Sequence, residues 1–154
     1  MKVGKAGESI TWIYYSNSTL HLYGNGAISF GQTANDQPWK EFRNDIMNIF
    51  IQEGITGIQK EAFSGSVTVK TIQLPNGLKN IGEKSFEGLL SLKEVTIPMT
   101  VNSIGNGPFS DCVSLETIIV EDGNTNYQSV ENVLFTNSMN ELIQYPGNKE
   151  GKEY

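Results

Sequence analysis

Cysteine, histidine, surplus positive charge and long apolar runs are what this chain has least of. Its 154 residues hold one cysteine, Cys112, and one histidine, His21. A lone cysteine cannot close an internal disulfide, so thiol usage fixes no redox compartment. His21 lies in the strand-like run "TLHLY" with no acid or nucleophile close in sequence, and no nucleophile-elbow pattern marks any serine. A histidine-based triad, which needs nucleophile, base and orienting acid in contact, is therefore not expected. Asp and Glu are scattered, and their separations are not readable from sequence. Eleven basic against 17 acidic residues leave a net charge of -6, without the phosphate-neutralising surface that nucleic acid needs, and anionic membranes are disfavoured likewise. No apolar run approaches the ~20 residues of a spanning helix. The opening "MKVGKAGESITW" lacks the apolar middle of a signal peptide, so the reading is either an intracellular protein or a leader lying before this stretch.

What is abundant is glycine, with 16 residues, alongside many asparagines. With 38% hydrophobic and 18% charged residues, this composition describes one folded domain with frequent turns. The turns recur at a fixed interval. "IFIQEGITGIQKEAFSGSVTVKT" from Ile49, "IQLPNGLKNIGEKSFEGLLSLKE" from Ile72 and "VTIPMTVNSIGNGPFSDCVSLET" from Val95 align without a gap at a period of 23 residues. Such a period means a stack of similar units, because one unit alone cannot bury its apolar face.

The aligned columns state what is buried. Ile49, Ile72, Val95 and Ile118 form one column, and Ile51, Leu74, Ile97 and Val120 the next, two residues on. Spacing of two with β-branched residues predicts strands, stacked in parallel ~4.8 Å apart. Rows of Ile55/Leu78/Val101, Ile58/Ile81/Ile104, Phe63/Phe86/Phe109 and Val69/Leu92/Leu115 complete the predicted core, and Cys112 shares the column of Ser66 and Leu89 as a small buried residue. Pro75 and Pro98 end their strands, since proline has no ladder donor. The segments "KEAFSG", "EKSFEG" and "GNGPFSD" are each expected to make about one helical or 3₁₀ turn. Parallel crossovers are right-handed, which predicts a right-handed coil. Before the repeats, Gly24-Asn25-Gly26 between "TLHLY" and "AISF" reads as an Asn-Gly hairpin that caps the solenoid.

Ile/Leu-Pro, an apolar residue three or four on, Ile-Gly, then Ala/Ser-Phe and Leu is a pattern that resembles the BspA-like, or Treponema-type, leucine-rich repeats. "LPNGLKNIGEKSFEGLLSL" and "IPMTVNSIGNGPFSDCVSL" carry it most fully. Family units usually have cysteine three residues after the phenylalanine; Cys112 keeps it, and Ser66 and Leu89 depart at this packing position. The tail resembles the family's longer unit at Asn126, Tyr127, Val133, Leu134, Phe135, Leu142, Ile143, Tyr145 and Pro146. The prefix resembles the segment that often precedes the first repeat at Trp12, Leu20, Gly24, Gly26, Pro38 and Trp39. The expected organisation is a single leucine-rich-repeat domain over 1–154: a capping segment (1–48), three 23-residue repeats (49–117) and an atypical longer repeat (118–154). In resembling units an Ile-Pro strand follows "YPGNKEGKEY", so the natural chain is expected to continue past Tyr154, leaving here an open C-terminal edge prone to self-association.

The resemblance implies a noncatalytic binding or adhesion module, bacterial, secreted or cell-surface, that recognises a protein of host matrix or other cells. A glycan-binding module using the aromatic prefix (Trp12, Tyr14, Tyr15, Tyr23, Trp39) and a structural spacer are the alternatives. Neither a metal nor a cofactor is expected: "DGNTNY" from Asp122 starts like a calcium loop, but Tyr127 and Val133 replace the required glycine and glutamate. Strand alternation puts two rows outward as the candidate contact surface, Phe50, Gln73, Thr96 and Ile119, with Asn48, Thr71, Glu94 and Thr117 beside them. Phe50 and Ile119 are apolar where water would favour polar residues, and so mark candidate anchors.

Overall fold

A 23-residue unit too short to bury its own apolar face coils around a core shared with its neighbours, and the computed structural model shows how residues 1–149, which it describes, do so. Each coil has three sides. The first is the predicted strand: β5 (Asn48–Ile51), β7 (Thr71–Gln73), β9 (Glu94–Ile97) and β11 (Thr117–Val120). Parallel registers join Asn48 to Thr71 and Ile49 to Ile72, and likewise Glu94 to Thr117 and Val95 to Ile118. The second side, read in the sequence only as apolar rows, is a second parallel ladder of β4 (Gly26–Ile28), β6 (Ile55–Ile58), β8 (Asn80–Ile81) and β10 (Ser103–Ile104).

The third side is the turn that carries the phenylalanines. No helix forms there among the described residues; the 3₁₀ turns lie instead at Ala34–Asp36 and Arg43–Asp45. The reason is where the amide protons go. Ala62 and Ser64 donate three residues back, to Gln59 and Glu61, but Glu61, Phe63 and Gly65 donate across to the next coil, at Glu83, Ser85 and Glu87. Lys84, Phe86 and Gly88 repeat this toward Asn106, Pro108 and Ser110. With half its donors committed between coils, the turn cannot run on as a 3₁₀ helix. Inside it, Trp39, Phe63, Phe86 and Phe109 stack with centroids 5.1, 5.5 and 5.4 Å apart and planes within 12°. Phe30 closes the row edge-on against Trp39, 5.6 Å away.

The prefix is itself a coil with an added cap. β3 (Thr19–Gly24) pairs in parallel with β5, and β2 (Ile10–Tyr14) and β1 (Lys2–Lys5) extend the sheet antiparallel beyond it. The capping hairpin is thus β2–β3, turning at residues 15–18, and not the Asn-Gly hairpin at 24–26. β3 and β4 lie in different sheets, and Gly24-Asn25-Gly26 is the corner between two sides of the coil. A local turn signal was outweighed by the pairing of Leu20 and Leu22 with Ile49 and Ile51. Trp39 Nε1 donates to Ala62 O, and Gln37 Nε2 to Ser64 O, carbonyls that a preceding coil would otherwise have to meet.

At the other end β12 (Tyr127–Val130), β13 (Val133–Thr136) and β14 (Leu142–Gln144) form an antiparallel sheet. This sheet covers the edge of β11: Ile118 N donates to Asn132 O and Val120 N to Ser129 Oγ. Gln144 Oε1 accepts from Phe109 N, as Gln37 serves the first coil. The edge expected after Tyr154 lies outside the described residues.

Candidate binding face

The strands position the candidate residues through alternation. Ile49, Ile51, Val95, Ile97 and Ile118 are buried, Ile72 and Leu74 half-buried, and the residues between them turn outward. Register brings Asn48 beside Thr71 and Phe50 beside Gln73; Glu94 stands beside Thr117 and Thr96 beside Ile119. All eight sequence-predicted residues therefore share one face. A groove of about 950 Å³ runs over it, lined by Asn48, Phe50, Thr71, Gln73, Glu94 and Thr96 among others, while Thr117 and Ile119 lie outside it.

Sequence reasoning left out the residues that β3 adds. Thr19 and His21 also line the groove, and His21 stacks on Phe50 with centroids 4.8 Å apart. His21 Nδ1 and Tyr23 Oη are 2.9 Å apart, and Tyr23 Oη is 3.1 Å from Tyr15 Oη. The Tyr15 hydroxyl raises the pKa of the Tyr23 phenol, with burial adding to it. The signal was present, since "TLHLY" alternates as "NIFI" does, but Leu20 stands 29 residues before Ile49 and so falls outside the 23-residue alignment. The other prefix aromatics face the core. Trp12 packs on Phe42 at 5.5 Å, and Tyr14 stacks on the same ring at 4.6 Å and donates to Asp45 O. Trp39 is fully buried.

The ladder is interrupted within this face. β5–β7 and β9–β11 are paired, but β7 and β9 share no register. Pro75 and Pro98 have no N–H to give where Gln52 and Glu121 donate to Leu22 and Ile97. Lys70 and Lys93 set like charges at equivalent places before the two strands, which disfavours pairing. The other sides stay joined across this break, with Asn80 beside Ser103 and Ile81 beside Ile104.

Two residues weighed for chemistry prove to be packing groups. Cys112 is buried, its Sγ donates to Phe86 O, and burial pushes the thiol up to about 11. Asn124, in the calcium-like stretch, turns its amide inward: Nδ2 donates to Pro98 O and Val101 O, and Oδ1 accepts from Asn126 N and Tyr127 N.

Short coils stacked through parallel strand ladders, with periodic apolar residues inside and an outward polar strand row, are the leucine-rich-repeat class of solenoids. Within it the chain belongs to the BspA-type leucine-rich repeat family, whose profile matches residues 40–151 in six copies. No curated protein matches it significantly. It is similar in fold to a leucine-rich repeat protein of Eubacterium ventriosum (20% identity, TM-score 0.58, covering 95% of this chain and 51% of that one). It is also similar to one of Bacteroides capillosus (21% identity, TM-score 0.50, covering 77% and 98%). The chain thus spans about half the length of the Eubacterium protein.

Proposed function

We propose that this chain is a noncatalytic recognition module of a bacterial surface or secreted protein, which binds a protein partner through the outward strand face. Membership of a family whose proteins commonly act at the cell surface supports the setting. The observation that carries the reading is the groove, in which the His21–Phe50 stack stands as an aromatic wall beside the amides and hydroxyls of Asn48, Thr71, Gln73 and Thr96. An aromatic anchor within a polar surround is the composition of interface hot spots. The test is solid-phase binding of the chain to immobilised matrix proteins. A Phe50→Ala/Gln73→Ala variant with unchanged circular dichroism is expected to lose about tenfold in affinity, as removal of a hot-spot residue does. Full binding by the variant moves the site elsewhere, and no binding to any matrix protein favours the spacer role.

Carbohydrate recognition is the second reading, carried by the Tyr15–Tyr23–His21 hydroxyl and imidazole cluster on the same face. Glycan binding lost on Tyr23→Ala, with matrix binding absent, would select it.

A further inference from the structure

The break between β7 and β9 leaves more than a gap. Met47 O accepts from Lys70 N and Thr71 N at 2.8 and 3.4 Å, and Lys93 O accepts from Glu116 N and Thr117 N at 2.9 and 3.2 Å. The equivalent bonds from Lys93 N and Glu94 N to Lys70 O are absent among the described residues. Two adjacent amide N–H groups are left without that acceptor beside the groove, which Lys70, Lys93 and Glu94 line. Lys70 and Lys93 are both exposed, and among the described residues neither ammonium group is held in an ion pair. Two uncompensated cations next to two free amide donors suit a single carboxylate, because the N–H groups give direction and the ammonium groups give charge. Farther along the groove, Phe50 has one ring face covered by His21 and no ring on the other.

We propose that the groove takes an extended acidic segment of the protein partner, with one carboxylate at the Lys93 and Glu94 amides between the two lysines and an aromatic or branched apolar residue against Phe50. This rests on the strand-face reading above and adds the partner's chemistry. Two strand spacings across and two residues along separate the anchors by roughly 12 Å, which three or four residues of extended chain span. Glu53, Glu94 and Glu121 also line the groove, and the chain's net charge is -6, so one carboxylate is accommodated and a polyanion is repelled.

The test is an NMR titration of the ¹⁵N-labelled chain with the peptide acetyl-TDTTYT-amide, its Asp→Asn counterpart and a heparin hexasaccharide. The aspartate peptide is expected to move the Lys93 and Glu94 amides together with Phe50, and the asparagine peptide to bind at least about tenfold more weakly, one close charge pair's worth. Lys70→Gln/Lys93→Gln, both exposed positions, is expected to show the same loss with all other resonances in place. Unmoved Lys93 and Glu94 amides, equal response to both peptides, or response to heparin at lower concentration would each overturn the proposal. Movement of Phe50, Gln73 and Thr96 without Lys93 and Glu94 removes the acidic anchor alone and leaves the strand face as the site; no movement on the face, with matrix binding indifferent to Phe50→Ala, removes both.

Discussion

Replacing Phe86 by alanine takes the middle ring out of the stack that joins Phe63 to Phe109. The cavity should cost about 3–5 kcal/mol and lower the melting midpoint by roughly 10 °C, read by calorimetry; a shift under a degree would contradict the packing. Cys112 reports the same core from a different side. Burial raises its pKa from 9.0 to about 11, so below pH 9 the thiol is neutral in folded and unfolded chains alike. Between those values the unfolded chain ionises first and binds fewer protons, and stability falls as pH rises. The loss is at most roughly 3 kcal/mol. Denaturant titrations of wild type and Cys112→Ala should therefore diverge from about pH 9 upward, and parallel curves would contradict the shift. At this scale the sequence was most legible. Phe63, Phe86 and Phe109 recur at a fixed period, as does the buried column of Ser66, Leu89 and Cys112, and periodic burial is what such spacing reports. Trp39 was legible only through the resemblance, because a longer loop sets it 24 residues before Phe63 with no matching columns around it.

Among elements, Gln59 occupies the place that Gly82 and Gly105 hold in later coils. A Cβ at Gly82 would overlap the backbone of Gln59 and Lys60, and one at Gly105 that of Glu83. Ahead of Gln59 no coil comes so near, and its side chain fills the space: Oε1 accepts from Phe30 N at 2.8 Å and Nε2 donates to Gly31 O at 2.6 Å. Gln59→Gly, which makes the first repeat match the others, is therefore expected to destabilise by about 1–3 kcal/mol in urea titrations, because two backbone groups lose their partner. A gain in stability would show that the coil can close without it. The elements were legible where pairing followed the period and not elsewhere. The strands from β5 to β11 follow it; β3 does not, so its Asn-Gly corner was read as a hairpin. The β7–β9 break was also hidden, since Ile72 and Val95 hold the same column whether or not their strands pair.

At the scale of the whole molecule, segments outside the 23-residue period cover both sides of the regular coils. Deleting the β12–β14 sheet, by ending the chain at residue 125, uncovers the Ile118 and Val120 amides and the end of the phenylalanine stack. An unpaired strand edge over a bare core is an association surface. Sedimentation velocity of this truncated chain is expected to show oligomers at concentrations where the 154-residue chain shows none, and a strictly monomeric truncation would mean that the β12–β14 sheet does not act as a cap. The architecture was legible from the 23-residue period, and the face from alternation. The stacking of His21 on Phe50 and the backbone bonds missing at Lys93 and Glu94 depend on contacts between coils that a one-dimensional pattern does not contain.

The Gln59 and Gly82 arrangement also fixes how such a chain can lengthen. A duplicated coil enters the stack only if it brings glycine to the close approach, as the units containing Gly82 and Gly105 do. A copy of the Gln59 unit placed behind Gly82 or Gly105 would push a long amide into a neighbour's main chain, so that unit fits only behind a coil that stands farther off, as the one with Phe30 and Gly31 does. Growth of the regular stack by duplication thereby favours copies of the Gly82 and Gly105 units over copies of the Gln59 unit.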